Sequence, residues 1–442
     1  MESTETTTTE TTTTETLPNA PLEAKPAGRS GLFISRDFSL LFLGQTISQL
    51  GTQAYSIAML YWLMERTGSA SLMGFLMTAS TLPGVFLGPF GGTFADRTSR
   101  IRIVLVCDLL AGSGIGVLTL ALWLRPDATQ VLIVLIFAVS ILLGVIRSFF
   151  APAISAVIPD LVPKGRLAAA NSLSQFASQA TVTVGQAIGG VLYQHLGAPL
   201  LFLVNSISYF IAGGASALIP RDERQRSAAP VDVHPFRHFL RETAEGLRWV
   251  WAQKGLRDFM LGVSLINFLG MPGTVLFPFY VKLYLHVRPQ WYGFLLAAIG
   301  IGVVTGFVLA GTLRLTGRSR ARGVMTAMVL YPVCFGALAL IRTAPLAVVA
   351  LFAGGITLGV INVYLITLIQ AGTPSEVRGR VMGLVGTLGG GLVPLGMTLG
   401  GIVGDLTNKN APLVFAVSAG TALCVTLFMI SSRSCREFLA TD

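Results

Sequence analysis

Two charged side chains lie within long apolar runs of this sequence. Asp108 is in the run 101–124, and Arg147 is near the end of the run 129–151. A charge near the centre of a membrane-spanning helix costs about 2.5–3.5 kcal/mol if nothing compensates it. We therefore predict that the two side chains pair or face a shared water-filled cavity, in which Asp108 accepts a coupling proton. The alternative is a static structural pair or a gate, because an adjacent arginine favours the charged carboxylate.

Amide side chains form a second pattern. Gln45, Gln49 and Gln53 are four residues apart, so they lie on one face of a helix. Amides that face lipid are left unsatisfied, so we predict that this face lines an internal cavity and binds solute. Hydrogen bonding between helices is the alternative, and it is nearly as well supported. Further solute-binding candidates lie in other apolar runs, at Gln175, Gln179, Asn267, Asn362 and Tyr364.

The sequence contains no pattern of a cofactor, metal or catalytic site. The four cysteines lack CxxC spacing, and there is no P-loop, GxSxG or HExxH motif. The histidines are isolated from one another in loops or at span ends. We expect no enzymatic activity, no cofactor and no metal ion.

Composition indicates the class of protein that positions these residues. Of the 442 residues, 52% are hydrophobic and 12% are charged, against about 25% charged in soluble domains. This excludes a soluble globular enzyme and a disordered scaffold, and it predicts an all-α polytopic membrane protein. The exception is the Thr- and Glu-rich tail 1–35, which has too few apolar residues to order itself.

Twelve runs are long and apolar enough to cross a membrane as helices, and we number them as spans 1 to 12. The predicted spans are 38–64, 70–95, 101–124, 129–151, 168–194, 198–219, 256–284, 290–314, 323–342, 345–370, 380–404 and 411–431. They predict an N-terminal six-helix bundle over 36–219 and a C-terminal six-helix bundle over 256–432. The linker 220–255 between them is predicted to carry an amphipathic surface helix, and 433–442 form a C-terminal tail.

The distribution of positive charge predicts the orientation. If the N-terminus is cytoplasmic, 24 of the 31 lysines and arginines lie on the cytoplasmic side and six lie on the outer side. By the positive-inside rule we therefore expect both termini in the cytoplasm, with the chain in the inner (plasma) membrane. The net charge of +10 then reflects topology and contact with membrane lipids, and no nucleic-acid partner is expected.

The two halves repeat each other. Pro163 and Pro374 are 211 residues apart, and so are the glycine blocks that begin at Gly185 and Gly396. Two parallel six-helix repeats are a transporter architecture in which the substrate site lies between the halves.

The motif between spans 2 and 3 reads Gly88-Pro-Phe-Gly-Gly-Thr-Phe-Ala-Asp96-Arg97-Thr-Ser-Arg100. Other matching segments are Glu65-Arg-Thr-Gly-Ser69, Asp108-Leu-Leu-Ala, Ile146-Arg147-Ser148 before Pro152-Ala153, and Pro374 to Gly383. On these residues the sequence resembles the major facilitator superfamily over nearly all of 36–432. Within that superfamily it is most similar to the macrolide-efflux and enterobactin-exporter branch, whose members export drugs or siderophores and are generally taken to be proton-driven.

The resemblance implies roles for the motif residues. Asp96 ends span 2, where its own helix dipole disfavours a carboxylate, and the family contact is with the N-terminus of span 11 near Gly379 and Arg380. That contact would stabilise the outward-open state. Further conformational roles are implied for Gly88, Gly92, Arg97 and Arg100, and, in a partial antiporter motif in span 5, for Gly185, Gly189 and Gly190. Gln186 stands where the family usually has proline, which weakens the case for antiport.

These observations predict a secondary active transporter with twelve transmembrane helices in two parallel six-helix repeats. It would export a moderately hydrophobic small molecule, drug- or siderophore-like, by alternating access and proton antiport, as a monomer. The alternatives are a facilitator or importer on the same fold and a non-transporting membrane sensor. A membrane enzyme ranks third, because the sequence contains no catalytic set.

Overall fold

The computed structural model describes residues 34–220, 244–245, 247–313 and 315–440. At six further positions only the backbone is described: Pro89, Thr93, Asp96, Arg97, Glu376 and Thr387. The predicted disordered tail, apart from Ile34 and Ser35, and most of the predicted amphipathic linker helix lie outside the described residues. Of that linker helix, Val250 is buried, whereas Leu247 and Trp251 are exposed.

Each of the twelve predicted spans overlaps a helix, although the helix of span 9 begins earlier than predicted and ends at Ala337, and we keep the span numbers for the helices. Spans 1 to 4 are Arg36–Thr67, Ala70–Arg97, Arg100–Leu124 and Thr129–Leu161. A 3₁₀ turn at Lys164–Arg166 leads into Leu167–Ala217, which holds spans 5 and 6. In the C-terminal half, span 7 is Lys254–Phe279, which continues into a π-helical turn at Tyr280–Tyr284. Spans 8, 9 and 10 are Gln290–Leu313, Gly317–Ala337 and Ala344–Gly372. Span 11 consists of Ser375–Gly391 and Val393–Leu406, span 12 is Ala411–Ser431, and the short helix Arg433–Ala440 follows.

Nine helical stretches in the described part of the chain are long and apolar enough to cross a membrane. One of them runs over 54 residues and contains both span 5 and span 6. Spans 1 and 9 are helical but lie outside these nine. Span 1 carries the polar stripe, and span 9 begins with three arginines, which lowers the hydropathy of both helices.

Local sequence explains where the helices begin, end and break. Gly68 ends span 1 in the left-handed region at φ 61°, and the Ser69 side chain caps span 2 by accepting a hydrogen bond from Leu72 N. Gly197 adopts φ 71° and separates span 5 from span 6. Span 11 is interrupted at Leu392, between three consecutive glycines and Pro394, because proline cannot continue the backbone hydrogen bonding.

The two halves pack in the same way. Span 1 packs along span 5 and span 2 along span 4, and correspondingly span 7 packs along span 11 and span 8 along span 10. Between the halves, span 2 packs on span 11, and span 5 on span 8. We name the two ends of the bundle after residues in their loops. The Ser69 end holds the connection between spans 1 and 2, and the Arg100 end holds the connection between spans 2 and 3.

The hydrophobic core joins the halves at one end. One cluster at the Ser69 end draws residues from both halves, including Tyr61 and Tyr193 from the first half and Phe277 and Tyr292 from the second. Towards the Arg100 end each half has its own separate clusters. Within the described residues, the halves are therefore packed together at the Ser69 end and are separate towards the Arg100 end.

Candidate functional site

Asp108 is buried inside the N-terminal half and is held by an amide. Its side chain is 1% exposed, and Gln45 Nε2 donates a hydrogen bond of 2.9 Å to Asp108 Oδ2. Gln45 is itself 8% exposed, so it bonds the carboxyl group in a nearly dry environment. Both residues are candidates from the sequence, but the sequence did not predict that Gln45 of span 1 pairs with Asp108 of span 3.

Small residues let spans 1, 3 and 6 meet around this pair. A Cβ atom on Gly213 of span 6 would lie 3.5 Å from Asp108 Cβ, and one on Gly44 of span 1 would lie 3.0 Å from Ala215 Cβ. Two turns further along span 1 the Thr52 hydroxyl lies 3.1 Å from the Tyr209 hydroxyl. The fully buried Asn205 follows, with the Ser208 hydroxyl donating to its backbone oxygen at 2.8 Å. Spans 1, 3 and 6 thus enclose a layer of buried polar side chains.

Arg147 does not join this layer. It is exposed and lines a cavity of about 430 Å³ between spans 2 and 4, together with Ser80, Thr81, Gly84, Gly88, Gly144, Ser148, Ala151 and Pro152. No ion pair connects Asp108 and Arg147 among the described side chains. The predicted pair is therefore absent, because Gln45 satisfies the carboxyl group while Arg147 points into open space. A cavity is the setting in which an intramembrane arginine can keep its charge hydrated.

The predicted amide stripe divides between two environments. Gln45 is buried against Asp108, whereas Gln49 is half-buried without a hydrogen-bond partner in the described structure. Gln53 packs against Gly185, where an added Cβ would meet Gln53 Cβ at 2.8 Å. In span 5 Gln179 is half-buried and Gln175 is exposed. Only part of the stripe is therefore accessible to a solute.

The candidates in the C-terminal half also separate. Asn267 is exposed and donates to the Gly389 oxygen at 3.1 Å, which places it beside the broken part of span 11. Asn362 donates to Leu358 O in its own helix at 3.0 Å. Tyr364 is 6% exposed, and its hydroxyl donates to Ala310 O at 3.2 Å. The expectation that Tyr364 lines the cavity is wrong for this structure, because packing between spans 8 and 10 buries it.

The structure places neither Gly88 nor Gly92 of span 2 against a neighbouring helix, and their implied conformational roles stay predictions. A Cβ on Gly88 or Gly92 would meet nothing within 4 Å, whereas one on Gly91 would overlap the Ser148 oxygen of span 4. In span 5 all three glycines of the partial antiporter motif lie against neighbouring helices. Gly185 lies against Gln53 of span 1, Gly189 against Ala54 of span 1, and Gly190 against Gly293 of span 8. These are small-residue packing contacts between helices, and the conformational role implied for the three glycines stays a prediction.

Among the charged residues of the motif and of the start of span 11, the structure gives partners for Arg100 and Arg380. The side chains of Asp96 and Arg97 lie outside the described residues, so their predicted contact with span 11 stays a prediction. Arg100 donates to Asp160 Oδ2 of span 4 at 2.7 Å and to Ala156 O at 3.0 Å. Arg380 donates to Glu245 Oε2 at 2.6 Å, which ties the start of span 11 to the end of the linker.

Sequence analysis missed a carboxylate that joins the halves at the Ser69 end. Asp405, at the end of span 11, accepts hydrogen bonds of 2.9 Å from Ser69 Oγ, Ala70 N and Ser71 N at the start of span 2. A detectable signal was present, because a carboxylate at the C-terminus of a helix needs an outside partner. Nearby, the Tyr193 hydroxyl donates to Glu65 Oε2 at 2.9 Å, and Lys282 Nζ of the second half lies 3.9 Å from Glu65 Oε1.

Comparisons with known proteins agree with this architecture. The chain is 25% identical over 399 residues to macrolide efflux protein A of Streptococcus pyogenes, covering 88% of this chain and 94% of that protein. It is 26% identical over 412 residues to the multidrug efflux pump Tap of Mycobacterium tuberculosis, covering 91% and 95%.

Solved structures share the fold at low identity. The nucleoside transporter NupG superposes with a TM-score of 0.70 at 12% identity, covering 89% of this chain and 98% of that one. A bacterial homologue of the iron transporter ferroportin, in an inward-facing state, gives 0.67 at 17% identity, covering 90% and 99%. A sequence profile of the Major Facilitator Superfamily matches residues 41–397. The chain is a membrane transporter that belongs to the major facilitator superfamily.

Proposed function

We propose that this protein exports a moderately hydrophobic small molecule by alternating access and that Asp108 carries the coupling proton. The observation on which this rests is the Asp108–Gln45 pair, a carboxyl group buried within a membrane helix whose described partner is a neutral amide. An unpaired buried charge is costly, and proton binding removes the charge. A carboxyl group that exchanges its proton only when a path to water opens is suited to coupling.

The direction and class of substrate are drawn from the relatives. Two of them are named as efflux proteins, one for macrolides and one for multiple drugs. The cavity between spans 2 and 4 is consistent with such a solute, because small and hydroxyl-bearing side chains surround the charged Arg147. Gln49, Gln53, Gln175, Gln179 and Asn267 do not line this cavity. We keep them as separate solute-binding candidates and omit the buried Tyr364.

Alternating access is supported by the unequal packing of the two ends. At the Ser69 end, spans 2 and 11 touch closely, and Thr78 donates to Pro394 O at 2.8 Å. Towards the Arg100 end, added Cβ atoms on Gly84 and Gly88 of span 2 and on Gly379 and Gly383 of span 11 would meet nothing within 4 Å. With the proposed cytoplasmic location of both termini in the inner membrane, this is an arrangement open to the cytoplasm.

The test is transport by the purified protein, proposed to act as a monomer, in proteoliposomes with an imposed pH gradient. Interior pH is read by a trapped dye while macrolides, lipophilic cations and siderophores are added in turn. We expect solute-dependent proton movement that is lost in Asp108→Asn. Asp127→Asn is the matched control, because Asp127 is an exposed carboxylate in the loop between spans 3 and 4 and should leave proton movement intact.

Two other results would each contradict a part of this proposal. Solute movement without proton movement in the unmodified protein would indicate a facilitator or importer and would leave Asp108 a structural role. Proton-coupled export that persists at the normal rate in Asp108→Asn would show that another group carries the proton.

A further inference from the structure

The carboxylate of Asp405 bridges the two halves at the Ser69 end. Both of its oxygens are used: Oδ1 accepts from Ala70 N, and Oδ2 accepts from Ser71 N and from Ser69 Oγ, each at 2.9 Å. The two backbone groups belong to the first turn of span 2, where N–H groups have no partner within the helix. We name these contacts between Asp405 and residues 69–71 the Asp405 latch.

Both helix ends favour this contact electrostatically. Asp405 sits at the partially negative C-terminal end of span 11, and the partially positive N-terminus of span 2 compensates it. Lys409 contributes little, since its Nζ lies 3.8 Å from Asp405 Oδ1 and its side chain is partly exposed. The latch therefore depends chiefly on the three donors that span 2 supplies.

The surrounding packing fixes where the latch can form. An added Cβ on Gly401 would lie 2.6 Å from Ala70 O, and one on Gly404 would lie 2.8 Å from Ala70 Cβ. Residues with side chains at these two glycines would hold the helices apart and draw Asp405 away from its donors. The sequence Gly400-Gly401-Ile-Val-Gly-Asp405 has the same spacing as Gly91-Gly92-Thr-Phe-Ala-Asp96 at the end of span 2.

We propose that the Asp405 latch sets the conformational equilibrium of the transporter by stabilising the state that is closed at the Ser69 end. The latch breaks whenever that end opens, because Asp405 and its three donors belong to opposite halves of the molecule. This inference rests on the proposed alternating access and adds the residue that controls one of its two states. Neutralising Asp405 shifts the equilibrium towards opening at the Ser69 end.

The experiment measures opening directly, without solute or pH gradient. Met73, which is fully buried in the cluster that joins the halves, is changed to the smaller cysteine in a full-length protein whose four native cysteines are serine. The rate of maleimide labelling then follows the population of the open form when opening and closing are fast. We expect Asp405→Asn to raise the labelling rate about tenfold, because hydrogen bonds to a charged group are stronger than those to a neutral one.

Two further variants make the result specific. Ser69→Ala removes one of the three donors and also the N-cap of span 2, but keeps the carboxylate, so we expect a smaller rise in the same direction. Asp127→Asn neutralises an exposed carboxylate in the loop between spans 3 and 4, within the first half, so its labelling rate should equal that of the parent. Thermal unfolding of each variant establishes that the labelled protein is folded.

The outcomes separate the latch from the proposed function. A labelling rate within twofold of the parent in folded Asp405→Asn, or an equal rise in Asp127→Asn, overturns the latch. A specific rise in Asp405→Asn supports the latch even if the proteoliposome assay shows no proton-coupled export. In that case the proposed antiport fails and the conformational role of Asp405 stands.

Discussion

Replacing Gln45 by leucine tests whether the buried amide stabilises the Asp108 carboxyl group. The substitution keeps a side chain of similar length and removes the donor that lies 2.9 Å from Asp108 Oδ2. A hydrogen bond to a charged group contributes about 1.5–3 kcal/mol. Side-chain hydrogen bonds between membrane helices average only about 0.6 kcal/mol, with a maximum near 1.7.

The burial of both partners decides between these two ranges. Asp108 is 1% exposed and Gln45 is 8% exposed, so little water is available to replace the lost donor. We therefore expect a coupling free energy between Gln45 and Asp108 of about 1–2 kcal/mol, which is above the average for side-chain hydrogen bonds between membrane helices. Hydrogen-bond partners that the unfolded chain finds in the detergent micelle limit this value. A coupling of that size lies above the deviations of a few tenths of a kcal/mol found for independent sites.

The assay is a double-mutant cycle of Gln45→Leu and Asp108→Ala, which removes the acceptor, with unfolding followed by circular dichroism during titration with a denaturing detergent. Gln49→Leu is the matched control, because Gln49 lies one turn along the same face and has no hydrogen-bond partner in the described structure. Its coupling to Asp108→Ala should be close to zero. A coupling below about 0.5 kcal/mol for Gln45, or an equal coupling for Gln49, would refute the assignment of Gln45 as the partner of Asp108.

Two other predictions concern packing and thiol reactivity. Gly302→Ala should destabilise the protein by about 1–3 kcal/mol, because a Cβ there would overlap the Phe352 oxygen of span 10. Gly311→Ala in the same helix meets nothing within 4 Å and should be neutral or stabilising, and a lower thermal midpoint than the parent would contradict this. Cys435, in the C-terminal helix, is 2% exposed, and burial raises the pKa of its thiol. In a variant with serine at Cys107, Cys334 and Cys424, Cys435 is the remaining thiol. It should resist maleimide at neutral pH in the folded protein and react after denaturation. Rapid labelling of the folded protein would show that the C-terminal helix does not pack as described.

The helices were predictable because membrane burial imposes strong local requirements on sequence. Every backbone group must be satisfied within its own segment, so a run of about 20 apolar residues bounded by turn residues can only be helix. The family was predictable from a local motif, because the segment from Gly88 to Arg100 combines glycines, a carboxylate and arginines at the spacing typical of the superfamily. The chain's membership of the major facilitator superfamily confirms that prediction.

Side-chain contacts between helices were not predictable from the sequence. Helical periodicity indicates which residues share one face of a helix, but it does not indicate which other helix packs against that face. Asp108 and Arg147 lie at similar predicted depths, and opposite charges invite pairing. The structure instead supplies Gln45 to Asp108, because spans 1 and 3 meet on span 6, while Arg147 turns towards span 2. Tyr364 shows the same limit, since its hydroxyl meets a carbonyl of span 8 that no spacing within span 10 could indicate.

Asp405 has the same electrostatic need for an outside partner as Asp96. Each carboxylate ends a helix whose dipole disfavours it, and each follows a glycine pair at the same spacing. A carboxylate at the C-terminus of a helix is one of the few local sequence features that indicate a contact with a distant part of the chain. The first turn of span 2 has those donors to spare, so a search for carboxylates at helix C-termini, matched against helix N-termini of the opposite half, would have located the contact before the structure did.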